Sequence, residues 1–231
     1  MVALAALSMW LGPRGARKAN GFTYGPIAEV AILFAGIFTT MVPALALLEA
    51  HGGELGLDRP WQFFLASGAL SSVLDNAPTY LTFLQTELGA LDQEQIDAAA
   101  NELEQMAAAN TIEVRNSLRP PEVKQAVEAM VKYHPTDVKR GKLRRAQVEV
   151  AFLVGVPARN VFLVAISLGA VFFGACTYIG NGPNFMVKSI ADSHGAKTPS
   201  FITYVWKYSI PILIPTYALV WWVFLKESPH L

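Results

Sequence analysis

The feature that most constrains the fold is a long uncharged run that ends in a helix-breaking motif. Residues 161–180 contain no Asp, Glu, Lys or Arg, and Asn181, Gly182 and Pro183 follow. Twenty residues of helix measure about 30 Å, which matches the hydrocarbon core of a bilayer. Within a helix, glycine costs about 1 kcal/mol and proline about 3 kcal/mol relative to alanine. The run therefore predicts a membrane-spanning helix that breaks near residue 180.

Helix is expected to resume after this break. Residues 185–190 are again largely apolar, and Pro183 suits the first turn of a helix. Lipid cannot satisfy the backbone groups that a broken helix leaves unpaired, so such breaks lie where a polar solute is held. Thr177, Asn181 and Asn184 add side-chain oxygens there. The alternative is an ordinary helix end at the membrane surface.

Composition supports a membrane protein. The chain is 53% hydrophobic and only 16% charged, which is unusually apolar for a soluble domain. Its net charge is zero, so the charge balance does not point to a nucleic-acid partner. The single cysteine, Cys176, excludes a disulfide within the chain and a multi-cysteine metal site.

Two further apolar segments predict membrane spans. Residues 27–48 carry one charge, Glu29, and residues 201–225 contain Pro211 and Pro215, which predict a kink. Glu29 is either a functional group, since burying a charge in lipid is costly, or a first-turn carboxylate that favours the helix dipole. Both interpretations of Glu29 stay open.

The N-terminal segment is too short to cross a membrane. Residues 1–11 are apolar but would measure only about 16 Å as helix. The basic residues Arg14, Arg17 and Lys18 follow this segment rather than precede it, which argues against a signal peptide and marks a cytoplasmic loop. We interpret residues 1–11 as the tail of a helix and expect the chain to be a fragment.

A re-entrant hairpin is predicted in residues 61–91. Residues 61–74 and 80–91 are two apolar arms, and neither is long enough to span about 30 Å. Between them lies a polar tip with Asp75, Asn76 and Thr79. Such a hairpin needs protein or a water-filled cavity around it. The alternative is one long, kinked span with Asp75 near its middle.

Residues 92–149 form a polar insertion. They contain ten acidic and nine basic residues, more than half of the charged residues in the chain. Residues 95–109 and 122–133 have helix-forming composition, and two prolines separate them. We expect a helical cap outside the membrane. The basic run at 139–145 is interpreted as an interfacial charge cluster rather than a nucleic-acid patch.

The two polar breaks, 75–79 and 177–184, indicate a cation site. They offer hydroxyl, carboxamide and carbonyl oxygens, which hard cations prefer. Asn76, Thr79 and Asn181 are the candidate ligands of sodium. Sodium and a proton would be the coupling ions, with no other cofactor. Because no metal-ligand spacing, phosphate loop or nucleophile motif is present, we expect a transporter and not an enzyme.

Three segments also resemble a known family. Residues 22–43, 74–83 and 166–188 are similar to the citrate transporter and sodium/proton antiporter branch of the ion-transporter superfamily. The resemblance implies two inverted repeats, each with a re-entrant hairpin and a broken helix whose tips bind sodium and substrate. This chain would supply only the C-terminal repeat.

The resemblance also implies which residues bind. They are the members of the two breaks that match the family: Asp75, Asn76, Thr79, Asn181, Gly182, Pro183 and Asn184. The hairpin tip departs from the Ser-Asn-Thr pattern of the dicarboxylate symporters, because Asp75 and Asn76 precede Ala77 and Pro78. That departure puts dicarboxylate specificity in doubt and favours proton coupling.

The sequence thus predicts an all-α polytopic membrane protein, residues 1–231 forming one membrane domain that is the C-terminal half of a secondary transporter. Sodium/proton antiport is the first expectation, and sodium-coupled symport of citrate or a related carboxylate is the second. A non-transporting remnant is a further alternative. An intramembrane aspartyl protease is disfavoured because it needs two aspartates, and Asp75 is alone in an apolar span. The expected partners are membrane lipid, the other half of the transporter and a second copy in a homodimer. The expected location is the cell inner membrane.

Overall fold

The computed structural model describes residues 2–19, 21, 25–115, 120–193 and 195–225. Within these residues all regular secondary structure is helical, and no strand is present. The α-helices are α1 (Val2–Leu11), α2 (Arg14–Ala19), α3 (Gly25–His51), α4 (Pro60–Ser71), α5 (Asn76–Gly89), α6 (Gln93–Ala108), α7 (Pro121–Tyr133), α8 (Pro135–Arg140), α9 (Arg145–Gly155), α10 (Pro157–Phe172), α11 (Gly182–Ser193), α12 (Phe201–Tyr204) and α13 (Ile210–Phe224). The predicted all-α class is confirmed.

The chain divides into two compact units, residues 1–39 and residues 40–231. In the first unit the Arg17 guanidinium joins α2 to α1. It donates to the carbonyl oxygen of Met9 at 3.1 Å and to that of Ser8 at 2.5 Å. These bonds satisfy carbonyls at the end of α1, where a helix has no intrahelical donors left.

One helical segment in the described part of the chain, Pro157–Ala175, is both long and apolar enough to cross a membrane. A shorter apolar stretch, Ala35–Leu47, lies within α3. The predicted span at 27–48 is helical, and α3 continues three residues further, through His51. Residues 22–24 and the Glu29 side chain lie outside the described residues.

The predicted hairpin is two helices rather than one kinked helix. Helix α4 ends at Ser71, four residues turn the chain, and α5 begins at Asn76. Helix α5 then packs against the 3₁₀ turn Gly52–Leu55, which precedes α4, so the chain folds back on itself. We expected the second arm to begin at residue 80. Helix instead starts earlier because Pro78 lies in the first turn, where its missing N–H breaks no helical bond.

The predicted break is wider than the sequence indicated. Helix α10 ends at Phe172, a 3₁₀ turn covers Phe173–Ala175, and irregular backbone continues to residue 181, where α11 follows. The expectation that helix would persist to residue 180 was therefore wrong. The early end reflects tertiary contacts described below rather than the local cost of Gly180 and Gly182.

The last apolar segment is irregular ahead of its first proline. A π-helical turn, Val205–Ser209, separates α12 from α13, and Pro211 follows it in the first turn of α13. Proline has no N–H, so in a helix it leaves the carbonyl oxygen four residues earlier without a donor. A π turn changes the hydrogen-bond spacing and so changes which carbonyl is left unpaired. The irregularity lies ahead of Pro211 as a π turn, while Pro215 lies within α13. The kink at the two prolines stays a prediction.

Residues of α6, α7, α8 and α9 form a helical bundle with its own core. Its fully buried side chains include Ile96, Leu103, Val127 and Met130. The two helices predicted in the insertion are confirmed as α6 and α7, whereas α8 and α9 were not predicted. A second core, around Phe63, Phe64, Phe162, Ala165, Ile166 and Tyr217, joins α4, α10 and α13.

Candidate ion-binding site

Helices α4 and α10 approach closely through small residues. A Cβ atom on Gly169 would lie 2.5 Å from the Phe64 carbonyl oxygen, and one on Gly68 would lie 2.6 Å from the Phe173 ring. Small residues allow helix backbones to pack at short distance, which is typical of membrane helices. This packing places the C-terminal ends of α4 and α10 side by side.

Ser71 links three helix ends at this point. Its hydroxyl lies 2.5 Å from the Ala170 carbonyl oxygen of α10 and 2.9 Å from the Asn76 side-chain oxygen of α5. The Asn76 carboxamide in turn lies against Gly174, so that a side chain at 174 would collide with it. The turn after α4 and the break after α10 therefore share one hydrogen-bonded contact.

Thr177 forms hydrogen bonds between the break after α10 and the turn after α4. Its hydroxyl donates to the Ser72 carbonyl oxygen at 2.5 Å and accepts from the Gly180 N–H at 3.0 Å. A Cβ atom on Gly180 would lie 2.6 Å from the Ser71 carbonyl oxygen and 2.7 Å from that of Ser72. Only glycine fits there. We call this set, Ser71, Ser72, Asn76, Thr177 and Gly180, the polar junction.

Asn181 presents a buried oxygen without a partner. Its side-chain Oδ1 is shielded from solvent and accepts no hydrogen bond within the described residues. Asn181 directly precedes α11, a position where a side-chain oxygen normally accepts from the second or third N–H of the helix. The second residue is Pro183, which has no N–H. One of the two usual donors is therefore missing, and the Asn181 oxygen accepts from neither position in the described structure.

Asp75 and Thr79 lie together at the start of α5. The Thr79 hydroxyl donates to the Asp75 backbone carbonyl at 3.0 Å, and Thr79 is fully buried. Asp75 is half-buried, and its carboxylate makes no hydrogen bond to the first turn of α5. The carboxylate therefore keeps its acceptor capacity beside the polar junction.

The remaining predicted residues lie at the start of α11. Gly182 begins the helix, Pro183 and Asn184 are exposed, and Asn184 lines an open cavity of about 280 Å³ with Lys188. The structure thus brings Asn76 and Thr177 into the polar junction, and Asn181 follows that junction in the chain. It does not place Pro183 or Asn184 in it.

Sequence reasoning missed a buried ion pair. Glu87 in α5 is 1% exposed, and its carboxylate lies 3.1 Å from the guanidinium of Arg159 in α10. The signal was a single acid within the second apolar arm and one arginine just before the uncharged run. Nothing in that spacing showed that the two residues meet. Ser71 was likewise not predicted as a contact between helices.

The described residues hold no cluster of three or more His, Cys, Asp or Glu side chains that could bind a metal ion. The candidate ligands are instead mainly neutral oxygens: carboxamides, hydroxyls and carbonyls freed by the break. A small set of such oxygens suits a monovalent cation better than a transition metal, which prefers imidazole or thiolate.

Comparison with known proteins identifies the family of this chain. A family model described as "putative citrate transport" matches residues 1–225. No curated protein and no solved structure matches the chain. The family match covers almost the whole sequence, and a transport family of this type consists of integral membrane proteins. It confirms the resemblance found in the three apolar segments. The chain therefore belongs to the putative citrate transport family.

Proposed function

We propose that this chain is one half of a cation-coupled secondary transporter that exchanges sodium for protons. The observation that supports this most directly is the buried, unpartnered side-chain oxygen of Asn181 at the start of α11. A buried acceptor without a donor costs about 1–3 kcal/mol. A bound cation would remove that cost, because hard cations take oxygen ligands.

The sodium ligands would come from both breaks. Asn181 supplies its side-chain oxygen, and the irregular backbone between α10 and α11 supplies carbonyls that no helix uses. Thr79 donates its hydroxyl proton to a backbone carbonyl, which leaves the oxygen lone pairs for an ion. Asn76 would be the third side-chain ligand, next to Ser71.

Asp75 would carry the proton. It is the carboxylate at the start of α5, half-buried and without a hydrogen bond to the first turn of that helix. A sodium ion near this carboxylate and a proton on it would exclude each other, since both neutralise the same charge. Alternation between the two states would couple sodium entry to proton exit.

The surrounding architecture is part of the proposal. Helix α4 has 12 residues, which is about 18 Å of helix and too short to cross about 30 Å of hydrocarbon. Because α5 returns towards the start of α4, we propose that the pair re-enters from one side. A second, inverted repeat would complete the site, and the whole transporter would form a homodimer in the cell inner membrane.

Sodium-coupled symport of citrate or a related carboxylate is the second candidate. The description of the family favours it, and so does the open cavity that Asn184, Lys188, Tyr178 and Thr198 line. Lys188 would attract an anionic substrate, although it also pairs with Asp192 at 2.5 Å. The two candidates differ in what moves with sodium.

The deciding experiment measures both fluxes in one preparation. The chain, together with its other half, is reconstituted in proteoliposomes, and sodium-driven proton movement and sodium-dependent citrate uptake are recorded. Under the antiport proposal Asp75→Asn abolishes sodium-driven proton movement. Asn181→Ala weakens the apparent sodium affinity without loss of folded protein. Asp58→Asn and Asn101→Ala, at exposed positions, serve as matched controls.

Three outcomes would contradict the proposal. Unchanged proton movement in Asp75→Asn would remove Asp75 from the mechanism. Citrate uptake that survives in Asp75→Asn, with no sodium-driven proton movement in the unaltered protein, would establish symport. Absence of both fluxes in folded, complete protein would support the non-transporting remnant.

A further inference from the structure

One face of α9 leaves apolar side chains uncovered. Ala146, Val150 and Val154 recur every fourth residue, which places them in one stripe, and Val150 and Val154 are 43% and 37% exposed. Tyr133 of α7 is 56% exposed and lines the same groove as both valines. The other apolar residues of α9, such as Phe152, are buried in the bundle core. The stripe is therefore not needed for packing within the bundle.

The stripe lies close to the point where the chain enters the membrane. Helix α10, the membrane-spanning candidate, begins at Pro157, three residues after Val154. Three residues reach at most about 10 Å, so a bilayer that α10 crosses from Pro157 would have Val154 within about 10 Å of the point of entry, the depth of the lipid headgroups. Exposed apolar residues on a helix at this depth are typical of interfacial helices that lie along the bilayer surface.

A run of basic side chains precedes α9. Lys139, Arg140, Lys142 and Arg144 are all exposed and form no ion pair within the described part of the chain. The fifth basic residue, Arg145, already has a partner, because its guanidinium donates to Asp97 at 2.7 Å. That hydrogen bond raises the pKa of the Arg145 guanidinium. Four positive charges without an ion pair thus precede the apolar stripe in the chain, the last of them two residues before Ala146.

We propose that the stripe and these four basic side chains form a surface that binds anionic phospholipid headgroups on the leaflet where α10 begins. The valines and Tyr133 insert at the boundary of headgroups and acyl chains, and the basic side chains pair with lipid phosphates. Near an anionic membrane surface each basic residue contributes about a fivefold preference for the bound state. The bundle is thereby held against the membrane, with α9 along its plane.

The test reports the depth of α9 in nanodiscs. A fluorophore is attached to Val150→Cys in the full chain carrying Cys176→Ala, and quenching by a lipid-bound nitroxide and by aqueous iodide is compared. With phosphatidylglycerol present, lipid quenching is expected to exceed that in pure phosphatidylcholine several-fold. A label at Asn101→Cys, exposed on α6, should stay accessible to iodide in both lipids and serves as the control for a water-exposed position on the bundle.

Two charge variants separate lipid binding from general effects. Changing Lys139, Arg140, Lys142 and Arg144 together to Gln should remove the dependence on phosphatidylglycerol. Exchanging lysine for arginine and arginine for lysine at the same four positions should preserve it, since the charges remain. Raising the ionic strength should reproduce the Gln result in the unaltered protein, because salt screens exposed charges. Equal quenching in the two charge variants, or an iodide-accessible Val150 label in both lipids, would overturn the proposal.

Discussion

The helical bundle and the apolar helices differ in which side chains they bury and expose. In the bundle, large apolar side chains such as Leu103 and Met130 are completely buried. In α4 and α10, Ser71 is completely buried, whereas Leu65 and Val171 are 48% and 57% exposed. The bundle hides apolar groups from water. The apolar helices also bury large side chains such as Phe63 and Ile166, but they leave others exposed and turn Ser71 inward, as expected where the surrounding solvent is lipid.

This difference shows what stabilises each region. Burial of apolar area drives the bundle, at about 25 cal/mol per Å². Between membrane helices that term is small, so close packing and hydrogen bonds such as that of Ser71 to α10 replace it. The same type of substitution should therefore change stability by different amounts in the two regions, according to whether the side chain is buried there. The following predictions test that contrast, beginning with the largest effect.

The largest effect is expected at the buried ion pair. Arg159→Gln leaves the Glu87 carboxylate buried without its partner, which costs about 3–5 kcal/mol. The free energy of unfolding is measured in detergent micelles by denaturant titration, with tryptophan fluorescence as the signal. The double variant Glu87→Gln/Arg159→Gln carries no charge and should recover most of the stability. A double variant as unstable as Arg159→Gln alone would show that the pair does not act through charge.

The next prediction compares a Leu→Ala substitution in the helical bundle with one in the apolar helices. Leu103→Ala creates a cavity in the bundle core and should cost about 2–5 kcal/mol. Leu65→Ala removes a half-exposed side chain from α4 and should change the free energy of unfolding by under about 0.5 kcal/mol. Both are measured in micelles under identical conditions. Similar losses for the two variants would contradict the assignment of Leu103 to a packed core and of Leu65 to an exposed helix surface.

A smaller loss of stability than at the ion pair or at Leu103 is predicted at the polar junction, together with a loss of transport. Gly180→Ala places a methyl group against two backbone carbonyls that cannot move aside, at a cost of about 1–3 kcal/mol. We expect folded protein with strongly reduced flux in proteoliposomes. Gly36→Ala is the control, because its Cβ would meet no atom within 4 Å. Normal flux in Gly180→Ala would show that the junction tolerates displacement.

Local chemistry made several elements predictable. Helix boundaries are expected at 75–79 and 181–184 because of the prolines and polar residues there. This expectation does not depend on the tertiary structure, since the cost of proline in a helix interior is intrinsic to the residue. For the same reason α6 and α7 could be recognised from their composition and from the prolines between them. The family could also be predicted from the sequence, because three apolar segments resemble it.

Helices α8 and α9 were not predictable in this way. Helix α8 has six residues, too few for an apolar period to emerge, and α9 runs from the basic cluster into apolar sequence without a boundary. Short helices are marginal in isolation, so the bundle core rather than local propensity decides that they form.

The amino-acid order alone therefore determined the class of protein, the two breaks and the residue types that surround them. Tertiary structure decided where α10 stops and which oxygens are occupied. The Ser71 hydroxyl meets a carbonyl 99 positions away, Thr177 meets one 105 positions away, and Glu87 meets Arg159 across 72. Such pairings depend on how α4, α5 and α10 pack, and no local preference encodes them. The unpartnered Asn181 oxygen is known for the same reason, because burial and missing donors are properties of the folded chain.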